Sequence, residues 1–286
     1  MFILDQMQDS IGYLIAVVTI VGLMVGSFLN VVIYRLPKMI ERSWRLQCAE
    51  LRGEPVETIP AFNIAIPRSE CPSCQHRITI WENIPILSYI FLRGRCSECQ
   101  FPISIRYPFV EAFTAISSGF VAWHFGFGWL LLAALIFVWA LIALAAIDIE
   151  TQLLPDDITL PLVWLGILVN MNNGFTDLHS SVIGAIVGYL SLWVIYWIFK
   201  LITGKEGMGY GDFKLLAAIG AWLGWSVLPL VILLSSLVGG MVGVGLIIIS
   251  KRNKNTMIPF GPYLAGGAVI ALVWGQSITH AYFGLF

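Results

Sequence analysis

Long apolar segments constrain this chain more than any other feature of its sequence. Most of them are long enough to cross a bilayer, because a transmembrane helix needs about 20 apolar residues. Two of them, 158–169 and 213–225, have only 12 and 13 residues, so each is either an interrupted helix or a helix shielded from lipid by protein. The candidate segments are 11–34, 108–125, 129–147, 158–169, 181–202, 213–225, 226–250 and 263–278. We therefore predict an all-α polytopic membrane protein with about eight transmembrane segments.

The composition supports the same class of protein. Apolar residues make up 58% of the 286 residues, and charged residues make up only 12%. This balance excludes a soluble globular enzyme, and the scarcity of charged residues excludes a disordered chain. The formal net charge of -1 gives no indication of a nucleic-acid partner, since such a partner requires a clustered basic surface.

The charged residues are concentrated in one stretch of the sequence. Ten Lys or Arg and eight Glu lie between residues 35 and 111, which indicates an aqueous domain inside a membrane-embedded chain. The predicted organisation is a first transmembrane segment at 1–34, a cysteine-containing loop domain at 35–107 and a transmembrane core at 108–286.

The basic residues also predict the orientation, because Lys and Arg near segment ends are retained on the cytoplasmic side. All sixteen lie in or at the edge of one set of loops, and the opposite loops contain none. The basic set comprises 35–107, 148–157, 203–212 and 251–262. The large loop is therefore predicted to face the cytoplasm, and both termini are predicted to face the outside.

Four of the five cysteines form two C-x-x-C pairs, Cys71 with Cys74 and Cys96 with Cys99. Two such knuckles offer four thiolates in the tetrahedral arrangement that zinc prefers, with no open position for a catalytic water. Redox-active or free thiols are the alternative, but a cytoplasmic loop is reducing and disfavours a disulfide. We predict a structural zinc ion on these four residues, whereas Cys48 has no partner in the pattern.

Three carboxylates lie within a turn or so of a long apolar run, namely Glu111, Asp148 and Asp212. Ionisable groups are costly in a membrane, so each is a candidate for function. Two carboxylates brought to one place can share a proton, and one then deprotonates water while the other polarises a carbonyl, as in aspartic proteases. The simpler roles are a helix cap for Asp212, a solvated segment end for Asp148 and a lipid head-group contact for Glu111. Spacing alone favours these simpler roles.

Small residues spaced four apart occur in several of the apolar segments. Such spacing permits close packing of membrane helices, and we expect packing rather than catalysis from them. The pairs are Gly22 and Gly26, Gly184 and Gly188, Gly220 and Gly224, and Gly239 and Gly243.

Several motifs follow one another in a distinctive order over nearly the whole chain. They are Gly26-Ser-Phe-Leu-Asn30 leading to Arg35-Leu-Pro37, the two cysteine knuckles, the Asp148 stretch ending in Leu154-Pro155-Asp156, Gly209-Tyr210-Gly211-Asp212, and Pro259-Phe-Gly-Pro-Tyr263. Together they resemble the bacterial type IV prepilin peptidases, which are aspartyl proteases of the GxGD type.

The resemblance implies a bifunctional enzyme of the bacterial inner membrane with its active site facing the cytoplasm. Such enzymes cut the short basic leader from type IV prepilins and type II secretion pseudopilins, then methylate the new N-terminal amine with S-adenosylmethionine. The resemblance assigns catalysis to Asp148 and Asp212. It assigns zinc binding to Cys71, Cys74, Cys96 and Cys99.

The residues themselves leave other functions open. A peptidase without methyltransferase activity is the nearest alternative, since no residue marks a cofactor pocket and the methyl-donor site is unknown. A membrane transporter with a zinc module would use the two aspartates as proton relays, and a non-enzymatic assembly scaffold would not need them. The expected partners are prepilin and pseudopilin substrates and membrane lipid, with no nucleic acid.

Overall fold

The computed structural model describes residues 2–54, 62–250 and 259–283, and within these ranges the chain forms helices and no strands. The prediction of an all-α protein is confirmed for this part of the chain. Two single-turn 3-10 helices lie at Trp81–Asn83 and Trp225–Val227. The α-helices are α1 (Phe2–Asp9), α2 (Ile11–Leu51), α3 (Leu87–Phe91), α4 (Arg106–Phe125), α5 (Trp129–Thr151), α6 (Asp156–Asn170), α7 (Leu178–Thr203), α8 (Tyr210–Leu223), α9 (Leu228–Ser250) and α10 (Gly261–Phe283).

Four of the described helices are long and apolar enough to cross a membrane. They are Ile11–Leu51, Trp129–Thr151, Leu178–Thr203 and Trp225–Leu246, and each contains most or all of one predicted segment. The helices α4, α6, α8 and α10 lie at the other four predicted segments. The chain is therefore built as a membrane protein, and the total of eight spans stays a prediction.

The chain divides into two compact units, Met1–Trp139 and Ala140–Phe286, with the boundary inside α5. The first unit contains the four cysteines and Glu111. The second contains Asp148 and Asp212. The three-part division at residues 34 and 107 that the charge pattern predicted stays a prediction.

The first unit is organised around the contact between α2 and α4. A Cβ atom at Gly22 would lie 2.6 Å from Ser118 Cβ, and one at Gly26 would lie 2.8 Å from Glu111 Cα. Only glycine permits this approach, so the predicted packing role of this pair agrees with the structure. The helix α2 also continues well past residue 34, through the buried Pro37 and as far as Leu51.

The second unit is organised around α8. This helix packs against α6, α7 and α10, and its residues from Phe213 to Leu223 are buried except for Lys214. Of the two explanations for the short apolar segment at 213–225, the structure shows the shielded helix and not the interrupted one.

The close contact between α7 and α8 depends on two facing glycines. A Cβ atom at Gly184 would lie 2.3 Å from the Gly220 carbonyl oxygen, and a Cβ atom at Gly220 would lie 2.1 Å from the Gly184 carbonyl oxygen. The two backbones therefore touch at this point, as the spacing of small residues predicted.

The C-terminal end of α8 lies inside protein, so its last carbonyl groups need partners other than water. The Asn170 side chain donates to the carbonyl oxygens of Ala221 and Trp222 at 2.8 and 2.9 Å. The Ser181 hydroxyl also donates to the Ala221 carbonyl oxygen. In return, the Trp222 indole donates to the Leu162 carbonyl oxygen at 2.7 Å and ties α8 to α6.

Candidate active site and metal centre

Asp212 lies in the first turn of α8, and the turn before it is made by small residues. Its backbone N–H donates to the Gly209 carbonyl oxygen at 3.2 Å, which starts the helix. Gly211 lies against Leu154, because a Cβ atom at Gly211 would come within 2.7 Å of Leu154 Cβ. The Asp212 side chain is buried, and no group among the described residues hydrogen-bonds to its Oδ1 atom.

Asp148 lies in the last turn of α5 and is buried as deeply as Asp212. Its Oδ2 atom accepts a hydrogen bond of 2.9 Å from the backbone N–H of Gly261, the first residue of α10. A Cβ atom at Gly261 would lie only 2.7 Å from the same oxygen. Glycine at this position therefore lets the backbone of α10 reach the carboxylate.

The segments that carry Asp148 and Asp212 meet at Leu154. A Cβ atom added at Gly211, next to Asp212, would contact the Leu154 side chain, and so would one added at Gly261, whose N–H binds Asp148. Two buried carboxyl groups that are held together favour a state in which they share one proton, because two buried like charges repel each other. The arrangement can therefore accept a proton from water with one carboxylate and donate a proton with the other.

Lys214 does not pair with Asp212, although it lies two residues away in sequence. Its ammonium group binds both carboxylate oxygens of Asp156 at 2.7 Å. This ion pair joins α8 to the first turn of α6. It stabilises the helix that carries Asp212 without adding a positive partner to the aspartate pair.

Glu111, the third carboxylate that the sequence singled out, belongs to the first unit. Its Oε2 atom accepts a hydrogen bond of 2.8 Å from the backbone N–H of Ile86. Ile86 has a positive φ of 59°, which is rare for a β-branched residue. Glu111 thus holds the loop before α3 against α4, a role that the sequence did not indicate.

The four cysteines of the two knuckles lie together and are free of disulfides. Their sulfur atoms all lie within 4.8 Å of one another. The Cys71 and Cys99 sulfurs are 3.7 Å apart, and the Cys74 and Cys96 sulfurs are 3.9 Å apart. A tetrahedral metal with bonds of about 2.3 Å to sulfur would separate the sulfurs by about 3.8 Å. The cluster therefore has the composition and spacing of a four-coordinate metal site and could bind a metal ion.

The two knuckles have the same backbone structure. In the first, the Cys71 N–H donates to the His76 carbonyl oxygen and the Gln75 N–H donates to the Cys71 carbonyl oxygen, both at 2.9 Å. The equivalent bonds recur around Cys96 and Gln100 in the second knuckle. Gln75 and Gln100 both have a positive φ, of 60° and 59°. Each pair of thiols is thus presented by the same tight turn.

Glu82 connects the two knuckles. Its carboxylate accepts hydrogen bonds from the Ser97 hydroxyl of the second knuckle and from both the backbone and the hydroxyl of Thr79 after the first. These hydrogen bonds, with that of Ser97 the largest, lower the pKa of Glu82 from 4.5 to about 2. His76 lies 3.3 Å from the same carboxylate. The sequence pattern gave no signal for this contact, since Glu82 belongs to no recognisable motif.

Comparison with known proteins identifies the family. The model of the bacterial peptidase A24 N-terminal domain matches residues 20–125, and the model of the type IV leader peptidase family matches residues 135–244. A prepilin leader peptidase/N-methyltransferase of Pseudomonas aeruginosa is 54% identical over 264 residues, which cover 92% of this chain and 91% of that protein. One from Aeromonas hydrophila is 56% identical over 269 residues, covering 93% of each chain. This chain belongs to the prepilin leader peptidase/N-methyltransferase family.

The family assignment confirms the resemblance that the motifs predicted. The N-terminal family domain contains the four cysteines and Glu111, and the type IV leader peptidase domain contains both aspartates. No solved structure matches the chain. The geometry of the aspartate pair and of the cysteine cluster therefore supplies the structural basis for assigning roles to residues.

Proposed function

We propose that this protein removes the leader peptide from type IV prepilins and type II secretion pseudopilins and then methylates the new N-terminal amine. The observation that carries the proposal is the pair of buried carboxylates formed by Asp148 at the end of α5 and Asp212 at the start of α8. Relatives that share more than half of their residues with this chain over most of its length carry the same pair of activities in their name.

The hydrolytic step follows from the chemistry of such a pair. One carboxylate accepts a proton from water as the water oxygen attacks the carbonyl carbon of the leader peptide bond. The other donates its proton to the carbonyl oxygen. The tetrahedral intermediate then collapses, the C–N bond breaks, and the amine leaves with a proton from the pair. The products are a leader with a free carboxylate and a pilin with a free N-terminal amine.

In this proposal, two side chains and one backbone group take part in the hydrolytic step. The unpartnered Oδ1 atom of Asp212 is a suitable acceptor for a proton of the attacking water. The hydrogen bond from the Gly261 N–H fixes the orientation of the Asp148 carboxyl group. Asp148 and Asp212 are thus the catalytic residues of the proposal, and Gly261 is a positioning residue.

The methyl group of the second step comes from S-adenosylmethionine, as the methyltransferase name of the relatives implies. The substrate of this step is the amine that the hydrolysis releases, so the two reactions follow one another on the same polypeptide. We assign no residues to the methyl donor.

The metal in the cysteine cluster is proposed to be zinc, held by Cys71, Cys74, Cys96 and Cys99. Four thiolates fill the tetrahedral coordination of zinc and leave no position for a water, so the ion would stabilise the fold of the loop rather than catalyse.

The basic loops also support a proposal for the location of the protein. We propose that eight spans cross the bacterial inner membrane and are surrounded by lipid, with the two aspartates facing the cytoplasm. We propose no nucleic-acid partner.

The proposal is tested by incubating the purified protein with a prepilin and S-adenosylmethionine and following the pilin by mass spectrometry. Loss of the leader followed by a gain of one methyl group supports both activities. Loss of the leader alone would show a peptidase without methyltransferase activity. An intact prepilin with wild-type protein would contradict the proposal and leave a transporter or a scaffold as the alternative.

A further inference from the structure

The second unit contains a cavity of about 340 Å³ between α7, α9 and the segment that leads into α10. Its size lies at the lower end of the range of ligand pockets in proteins, about 300 to 1,000 Å³. The side chains that enclose most of it are Leu192, Ile195, Met208, Ile232, Phe260 and Tyr263.

The wall of this cavity is continuous with the backbone that holds the aspartate pair. Met208 directly precedes the Gly209-Tyr210-Gly211-Asp212 turn. Phe260 directly precedes Gly261, whose N–H donates to Asp148. A group bound in the cavity would therefore lie next to the segments that position both carboxylates.

The chemistry of the lining selects an apolar group. No residue that lines the cavity carries a charge, and the polar side chains among them are Ser236 and Tyr263. The cavity also opens at the surface of the helices, since Ile195 is 51% exposed and Gly240 is exposed as well. An apolar group can thus enter from the side of the helix bundle and lie against Met208 and Phe260, which adjoin the segments that carry Asp212 and Gly261.

We propose that this cavity binds an apolar side chain of the substrate polypeptide, close to the bond that is cut. The inference rests on the proposed peptidase function and adds the part of the substrate that the enzyme recognises. The cavity then selects substrates by the size of this side chain, because an apolar pocket discriminates between side chains of different volume.

Gly240 offers a way to fill the cavity without disturbing the fold. It lines the cavity, and a Cβ atom at this position would meet nothing within 4 Å. Gly245 is the matched control, because it lies on the same helix, also has nothing within 4 Å, and does not line the cavity. We expect Gly240→Leu to lower kcat/KM for a prepilin by about tenfold or more, and Gly245→Leu to leave it unchanged.

A set of substrates distinguishes a side-chain pocket from other occupants. The kcat/KM values are measured for prepilins in which each apolar residue near the cleaved bond is replaced in turn by Ala. At one position, the Ala prepilin should be cut equally well by the wild type and by Gly240→Leu, since either change removes the same contact. An equal loss for every prepilin would indicate displacement of a lipid acyl chain and would overturn the inference.

A second variant tests the inference if Gly240→Leu fails to accumulate. Ile195→Ala enlarges the cavity at its exposed edge. It should shift the preference at the same substrate position towards a bulkier side chain, and an unchanged preference would overturn the inference. If the wild-type protein cuts no prepilin at all, the proposed function is wrong. If the wild type cuts prepilins normally and the cavity variants have no effect, only the inference about the cavity is overturned.

Discussion

Replacing Gly261 by Ala should impair catalysis while leaving the fold intact. The new Cβ atom would lie 2.7 Å from Asp148 Oδ2, whereas ordinary van der Waals contact begins at 3.4 Å, so the carboxyl group must move by about 0.7 Å. Its oxygen is the mobile end of a side chain, so the fold can absorb this change. A misplacement of about 1 Å in a catalytic group can cost about 100-fold in rate. We therefore expect kcat to fall by about 10-fold to 100-fold.

The assay is leader cleavage by purified protein, with kcat and KM measured separately. The matched control is Gly266→Ala on the same helix, because a Cβ atom at Gly266 meets nothing within 4 Å. The thermal unfolding of both variants should resemble that of the wild type. A wild-type kcat for Gly261→Ala, or an equal loss in Gly266→Ala, would refute the proposed positioning of Asp148 by α10.

Three further predictions follow from the site and its supports. Asp148→Asn or Asp212→Asn should abolish leader cleavage while the protein still accumulates, since an amide cannot accept a proton from water; near-normal turnover of either variant would remove that residue from the catalytic pair. Cys74→Ser should lower the metal content measured by elemental analysis and destabilise the loop, because structural zinc supplies folding energy; a wild-type protein without metal would refute the zinc site. Gly220→Ala should destabilise the protein by about 1–3 kcal/mol through a backbone clash with α7, as measured by unfolding temperature against the unobstructed control Gly245→Ala; equal stability of the two variants would contradict the close contact.

The sequence predicted those features that depend on local pattern. The all-helical class follows from the apolar runs, and the grouping of four cysteines follows from two repeats of the same short turn. The pairing of Asp148 with Asp212 followed from chemistry and motif order rather than from spacing. The helical class and the cysteine cluster agree with the structure because each rests on residue types that have few alternative uses in a membrane protein. Catalysis by Asp148 and Asp212 stays a prediction.

The contacts of the aspartate pair join residues far apart in the chain, and the residue pattern does not show which of these residues touch. The Gly261 N–H and the Asp148 carboxylate are separated by 113 positions. Gly261 and Leu154 were recognised within motifs, but a motif does not show which atoms touch. The contact of Glu82 with both knuckles was missed because Glu82 belongs to no recognisable motif.

The end of α2 was not evident from the charge pattern. The charges beyond Tyr34 mark the end of the apolar segment, but α2 continues to Leu51. Ten of the fourteen residues from Lys38 to Leu51 are Lys, Met, Glu, Arg, Leu, Gln or Ala, which are good helix formers and need no apolar surroundings. A change from apolar to charged residues therefore marks the edge of a membrane segment and not the end of a helix.

The shortness of α8 explains how a charged residue can work inside this fold. A helix of 14 residues is about 21 Å long, whereas the hydrocarbon core of a bilayer is about 30 Å thick. Such a helix cannot present both of its ends to water unless other parts of the protein surround it, and α6, α7 and α10 do so here. The side chains of Asn170 and Ser181 donate hydrogen bonds to the carbonyl groups at the buried C-terminal end of α8. Asp212 lies at the opposite end of the helix, in its first turn. Protein surroundings thus replace lipid along α8, and a carboxylate that would be costly in hydrocarbon is held beside a second carboxylate instead.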